Sequence, residues 1–131
     1  MHSDPIADLL ARIKNGIMAR LPHVDAPVSK IKIELLKILQ AEGFITSYEV
    51  ITEGKFPSVR VHLKYDSRRK PVINNIKRVS KPGLRVYKAT TELRPLRSGL
   101  STRIMTTSAG VMTDREARRK KIGGEILCEV W

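Results

Sequence analysis

A chain of 131 residues with 41% hydrophobic content can bury one modest core or two small ones, and at 5% aromatics that core must be filled by Ile, Leu and Val. The formal net charge of +12 calls for a polyanionic partner, nucleic acid before membrane, since no apolar run approaches the roughly 20 residues that span a bilayer. Met1-His2-Ser3-Asp4-Pro5 lacks a basic-then-apolar leader, and the single cysteine, Cys128, cannot form an internal disulfide, so a reducing, cytoplasmic setting is expected.

The first segment is helical. Ser3 or Asp4 can cap it, Pro5 suits its first turn, and Ile6, Leu9, Leu10, Ile13 and Ile17 recur on one face up to about Arg20. Pro22 and Pro27 leave room for a short extended piece around residues 23–26. Ser29 caps a second helix with its stripe on Ile33, Leu36 and Leu39, ended by Gly43 in a left-handed conformation. Residues 44–52 and 57–65 read as strands joined by a turn at Glu53-Gly54-Lys55-Phe56. In the second strand Val59, Val61 and Leu63 alternate with Arg60, His62 and Lys64. The result is an α-β-α-β-β unit, two helices on one face of a small sheet.

Asp66-Ser67-Arg68-Arg69-Lys70-Pro71 is the expected boundary. It divides an N-terminal α/β lobe, 1–66, from a basic, mainly β lobe, 67–131, in an α+β protein of two small, closely packed lobes. Residues 1–65 balance to +2 and residues 66–131 to +10, which places the partner surface on the second half. Within it, residues 72–79 read as a strand. Lys81-Pro82-Gly83 forms a turn of type II, with Gly83 at positive φ. Residues 84–88 are a short strand, 92–99 are irregular around Pro95, and 125–131 are a last strand, buried on both faces.

Between these lies the most informative stretch, residues 104–119. Ile104 and Met105 favour a strand. Thr106, Thr107, Ser108, Ala109 and Gly110 follow as a polar loop, and Thr113-Asp114-Arg115-Glu116 is a capping box opening a short helix. A loop of hydroxyls and backbone amides can sit tight against a sugar–phosphate backbone, with Arg103 before it and Arg115, Arg118, Arg119, Lys120 and Lys121 after it. The same residues also suit an ST-turn followed by a solvated basic helix.

Catalysis finds little support. His2, His23 and His62 lack metal-ligand spacing with one another or with Cys128, and no cofactor motif is present. Cys128 sits in an apolar strand as an inert thiol, and no base stands near the Thr106–Ser108 hydroxyls. The short second-half helix does not follow a helix and tight turn, which argues against a major-groove DNA reader. Core packing explains the first helix better than membrane binding does. RNA fits best: hydroxyls and amides reach 2′-hydroxyls and base edges in a shallow groove, with Lys and Arg on the phosphates. Tyr87, between Arg85 and Lys88, can stack on a base or close the edge of a core.

The ordered run Thr106 to Thr113, followed by Arg115-Glu116-Ala117-Arg118, resembles the signature of the eighth protein of the bacterial small ribosomal subunit. Asp4 to Leu10, Ser80 to Tyr87 and Gly123 to Trp131 resemble the same family, so the likeness covers essentially the whole chain. Four positions depart from it. Thr106 stands for the usual Ser and keeps a hydroxyl, Ala109 stands where Lys or Ser is common, and Ser101-Thr102 replaces a usual Gly-Ile pair.

The resemblance implies a structural constituent of the small subunit, a primary binder of a stem in the central domain of 16S ribosomal RNA that helps the platform assemble. It also implies contact with the fifth and twelfth small-subunit proteins, and repression of translation through a mimic of that stem in its own operon mRNA. Bacterial ribosome and plastid stroma both suit it. By motif position Thr106, Thr107 and Ser108 would supply hydroxyl contacts and Gly110 close backbone approach. Glu125 would hold the loop from behind and Tyr87 would stack. Lys81, Arg85, Lys88, Arg115 and Arg118 would position phosphates, with Ser29 and Lys30 at a helix N-terminus as a secondary contact. The competing reading is a general basic RNA binder or assembly factor outside the mature ribosome.

Overall fold

The computed structural model describes residues 4–95 and 99–131. Within these, the chain divides into two compact units, one of residues 5–74 and one in which Asp4 joins residues 75–131.

In the first unit α1 runs over Pro5–Met18 and β1 over His23–Pro27. Helix α2 spans Lys30–Ala41, β2 Ile45–Ile51 and β3 Ser58–Leu63. The three strands form an antiparallel sheet in the order β1-β3-β2. Strand β3 alternates buried Val59, Val61 and Leu63 with half-buried Arg60 and His62, as the sequence pattern requires. Leu9, Ile13, Leu35, Leu36 and Leu39 complete the core without an aromatic ring. Ser29 caps α2 by accepting from the Lys32 amide at 3.4 Å, and Gly43, at φ +81°, follows the helix end.

The expected division after residue 66 falls differently here, because residues 67–74 pack with the first unit. Tyr65 pairs with Pro71, and the Val72 amide donates to the Lys64 carbonyl at 3.1 Å. This moves Arg68, Arg69 and Lys70 across the boundary. The net charges become +5 for residues 5–74 and +7 for the second unit, in place of +2 and +10.

The second unit holds β4 (Ile76–Arg78), β5 (Tyr87–Lys88), a single 3-10 turn (Thr90–Glu92), β6 (Thr102–Thr107), β7 (Gly110–Thr113), α3 (Asp114–Lys120) and β8 (Gly124–Val130). Strand β8 is the hub. It pairs with β6 along one edge and with β4 and β5 along the other, while β7 lies outside β6. Only residues 76–78 of the expected 72–79 strand are ladder-paired. The turn at Lys81-Pro82-Gly83 closes through reciprocal Lys81–Leu84 bonds of 2.9 Å. Gly83 does not take a positive φ, so the turn is not type II. Met105, Met112, Ala117, Ile126 and Leu93 make the core between α3 and one face of the sheet. Burial pushes the Cys128 thiol up to about 12, as expected for an inert side chain.

Candidate RNA interface

The hydroxyl stretch is not a loop before a helix but the bend of a β-hairpin. Thr106 and Thr107 end β6, Ser108 and Ala109 make the turn, and Gly110 opens β7 at φ +112°. At that φ Gly110 takes a backbone conformation that other residues adopt only under strain, directly after the two-residue turn. The unexpected strand β7 had a sequence signal in the apolar residues Val111 and Met112, too short to separate a strand from a helix lead-in.

The hairpin separates the three hydroxyls. Thr107 turns inward: its Oγ1 donates to the Gly110 carbonyl at 2.8 Å, accepts from the Ala109 amide at 3.1 Å and lies 3.9 Å from Met112 Sδ. Thr106 points to the opposite face, because strand side chains alternate and Met105 fills the core. Ser108, Ala109 and Gly110 form the exposed tip, and among the described residues nothing beyond its chain neighbours comes within 4 Å of where a Gly110 Cβ would lie.

On the face away from the core, paired positions form a row. Tyr87 on β5 stands opposite Glu125 on β8, and Glu125 opposite Thr106 on β6. Two inter-strand steps place Tyr87 about 10 Å from Thr106. Tyr87 is 67% exposed, which suits a ring offered to a partner. Glu125 is largely covered and organises the row. Ser80 Oγ donates to its Oε2 at 2.6 Å, Arg85 Nη1 donates at 3.0 Å, and the Val86 amide donates to Ser80 Oγ at 3.0 Å. Glu125 therefore holds Arg85 and the Ser80–Val86 segment, where the sequence suggested it would hold the hydroxyl loop. Ser80, fully buried, is the bracing residue of this row that sequence reasoning missed, since a serine ahead of a turn carries no mark of burial.

The cations divide into groups. Lys81 is exposed on the turn after Ser80, and Arg85 reaches the row through Glu125. Lys88 follows Tyr87 on β5 and by alternation faces the other way. Helix α3 packs by Ala117 on the core face, so Arg115 and Arg118 lie on the side opposite the row. Arg118 bonds Asp114 at 3.1 Å and the Leu93 carbonyl at 3.4 Å. Arg103 is buried, donating from Nε to Asp114 at 3.2 Å and from its guanidinium to the Arg94 carbonyl. Asp114 thus anchors two arginines. The capping box is half made: Thr113 accepts from the Glu116 amide at 3.1 Å, while the Glu116 carboxylate pairs with Arg119 and, at 3.8 Å, Lys120.

In the first unit Ser29 and exposed Lys30 stand at the N-terminus of α2. Their neighbour Lys32 is buried, with Nζ donating to the Pro27 carbonyl at 2.7 Å; burial lowers its pKa from the ordinary lysine range.

Residues 4–131 match the family described as ribosomal protein S8. The chain belongs to the ribosomal protein S8 family. Curated relatives named small ribosomal subunit protein uS8 include those of Solibacter usitatus and Thermodesulfovibrio yellowstonii, each 49% identical over the whole of both chains. The Geobacter sulfurreducens protein is 50% identical over 98% of each. An S8-family chain is a structural ribosomal protein and not an enzyme, in line with the absence of catalytic spacing in the sequence. Both the exposed tip and the Tyr87–Glu125–Thr106 row lie inside the matched residues.

Proposed function

We propose that this S8-family protein is a constituent of the small ribosomal subunit and binds the central domain of 16S ribosomal RNA through the outward face of its second unit. Thr106 and Ser108 make hydroxyl contacts, Gly110 lets the RNA backbone approach, and Tyr87 stacks on a base. Lys81 and Arg85 neutralise phosphates beside them, and Ser29 with Lys30 offers a secondary contact from the first unit. Working in the bacterial ribosome, it helps the platform assemble beside the fifth and twelfth small-subunit proteins. The same face would take an operon-mRNA mimic of the stem.

The reading rests on one observation: an exposed tyrosine and a threonine share a row that Glu125 and buried Ser80 brace, next to an open hairpin tip. Titration of the purified protein with a central-domain stem and with a scrambled stem of equal length, at several salt concentrations, tests it. Preference for the cognate stem that persists as salt rises supports specific recognition. Equal binding that falls steeply with salt would leave a general basic RNA binder.

A further inference from the structure

Two histidines that lie far apart in the sequence meet across the sheet of the first unit. His23 on β1 stands directly opposite His62 on β3. The pair beside them is hydrogen bonded, the Leu63 amide donating to the Pro22 carbonyl at 3.0 Å. Pair types alternate along an antiparallel ladder, so His23 and His62 form a non-hydrogen-bonded pair, the type whose side chains lie closest. Val61 and Leu63 point into the core, which turns both imidazoles to the opposite face. Their ring centroids lie 5.8 Å apart, with the planes at 76°.

Each ring has a nitrogen to offer. His62 Nε2 donates to Glu49 Oε1 at 3.3 Å, which leaves Nδ1 with the lone pair. His23 Nδ1 is buried and makes no hydrogen bond among the described residues. A buried polar nitrogen without a partner is costly unless another atom meets it. The surrounding charge favours a cation in that place. Asp25 and Glu49 stand on the same face as the pair, and the neighbouring cation, Arg60, is already bonded to Asp25 at 2.9 Å and 3.2 Å.

We propose that His23 and His62 form a clasp for a borderline first-row divalent cation, with zinc as the representative ion. Bonds of about 2.0–2.1 Å to one nitrogen of each ring, in a tetrahedral arrangement, put the centroids roughly 5–6 Å apart. That is the separation the strands impose. The soft χ2 torsion of histidine lets the rings turn their lone pairs to the ion. Glu49 orients His62 as carboxylates do behind metal-bound imidazoles. Among the described residues no group of three His, Cys, Asp or Glu forms a closed cage, so water completes the coordination shell. The bound ion ties the edge strand β1 to β3 and makes the stability of the first unit respond to zinc.

The test is a calorimetric titration of the whole chain with zinc in a buffer that does not chelate it. The parent should take up about one ion per chain, and its thermal midpoint should rise with zinc. His23→Gln and His62→Gln should each weaken binding about tenfold or more, and Glu49→Gln about tenfold, with metal-free melts unchanged. His2→Gln should bind as the parent does. Loss of binding in that variant alone would give the ion to the start of the chain and overturn the clasp. So would displacement of zinc by a modest excess of magnesium, which prefers oxygen and would point to the carboxylates. Nitrogen NMR spectra of the unaltered protein read the site without any substitution. The ring signals of His23 and His62 should both shift as zinc is added, and failure of either ring to shift would refute the clasp however the variants fold.

Discussion

Single side chains divide here into those that offer a group and those that hold one. Thr107 and Ser108 are neighbours of like chemistry with opposite tasks. Replacing Thr107 with Val removes two bonds that close the hairpin and should cost about 1 kcal/mol in denaturant unfolding. Replacing exposed Ser108 with Ala should leave unfolding unchanged and weaken RNA binding. Reversal of that pattern in paired melts and titrations would mean that Thr107 is the contact and Ser108 the brace. Asp114→Asn belongs to the holding class as well, since it strands buried Arg103; a loss of about 3–5 kcal/mol is expected. Cys128 adds a pH dependence. Its folded-state thiol titrates near 12, above the unfolded value of about 8.5, so the unfolded chain binds fewer protons between those limits. This contribution to stability is complete below about pH 8.5 and declines as pH rises toward 12. Thiol reagents at pH 8 should label it at the rate of unfolding.

Elements were legible where one force decided them. The stripe of α1, the Ser29 cap of α2 and the alternation of β3 can be read from local residues, and the structure repeats them. The hairpin β6–β7 could not be read in this way. Its second strand is only four residues long and runs straight into the cap of α3, so the hydroxyls gave a loop signal that the ladder overrode. The row from Tyr87 to Thr106 was invisible for a further reason: it is assembled from three strands distant in sequence. Gly124 tests how closely those strands must fit. A Cβ there would lie 2.3 Å from the Thr106 carbonyl oxygen and 3.0 Å from Thr107 Cγ2. Gly124→Ala should therefore force β8 away from β6, costing upwards of about 2 kcal/mol and disturbing RNA binding together with stability. Gly110→Ala meets no neighbour and should cost only its backbone strain, about 1–2 kcal/mol. Comparison of the two melts distinguishes steric from conformational cost.

Across the whole molecule, charge was legible in amount but not in allocation. The total of +12 is fixed by composition. Which unit carries it depends on a bridge between Tyr65 and Pro71 that leaves no periodic trace in the sequence. The burial of Arg103 likewise needed the position of Asp114, eleven residues along the chain. Residues 5–74 have their own sheet, helices and core. Expressed alone they should unfold cooperatively by circular dichroism, and a gradual, non-cooperative melt would count against an independent core.

The central place of β8 also bears on biogenesis. Among the described residues, three earlier segments, β4, β5 and one edge of β6, find their ladder partner in β8, a strand synthesised after all of them. A nascent chain emerging from its exit tunnel can fold residues 5–74 while those edges still wait. The face that carries Tyr87 and Thr106 comes into being only when Glu125 arrives between them. Chains arrested before this point would display unpaired strand edges and lack the assembled face, leaving them to surveillance by chaperones and proteases.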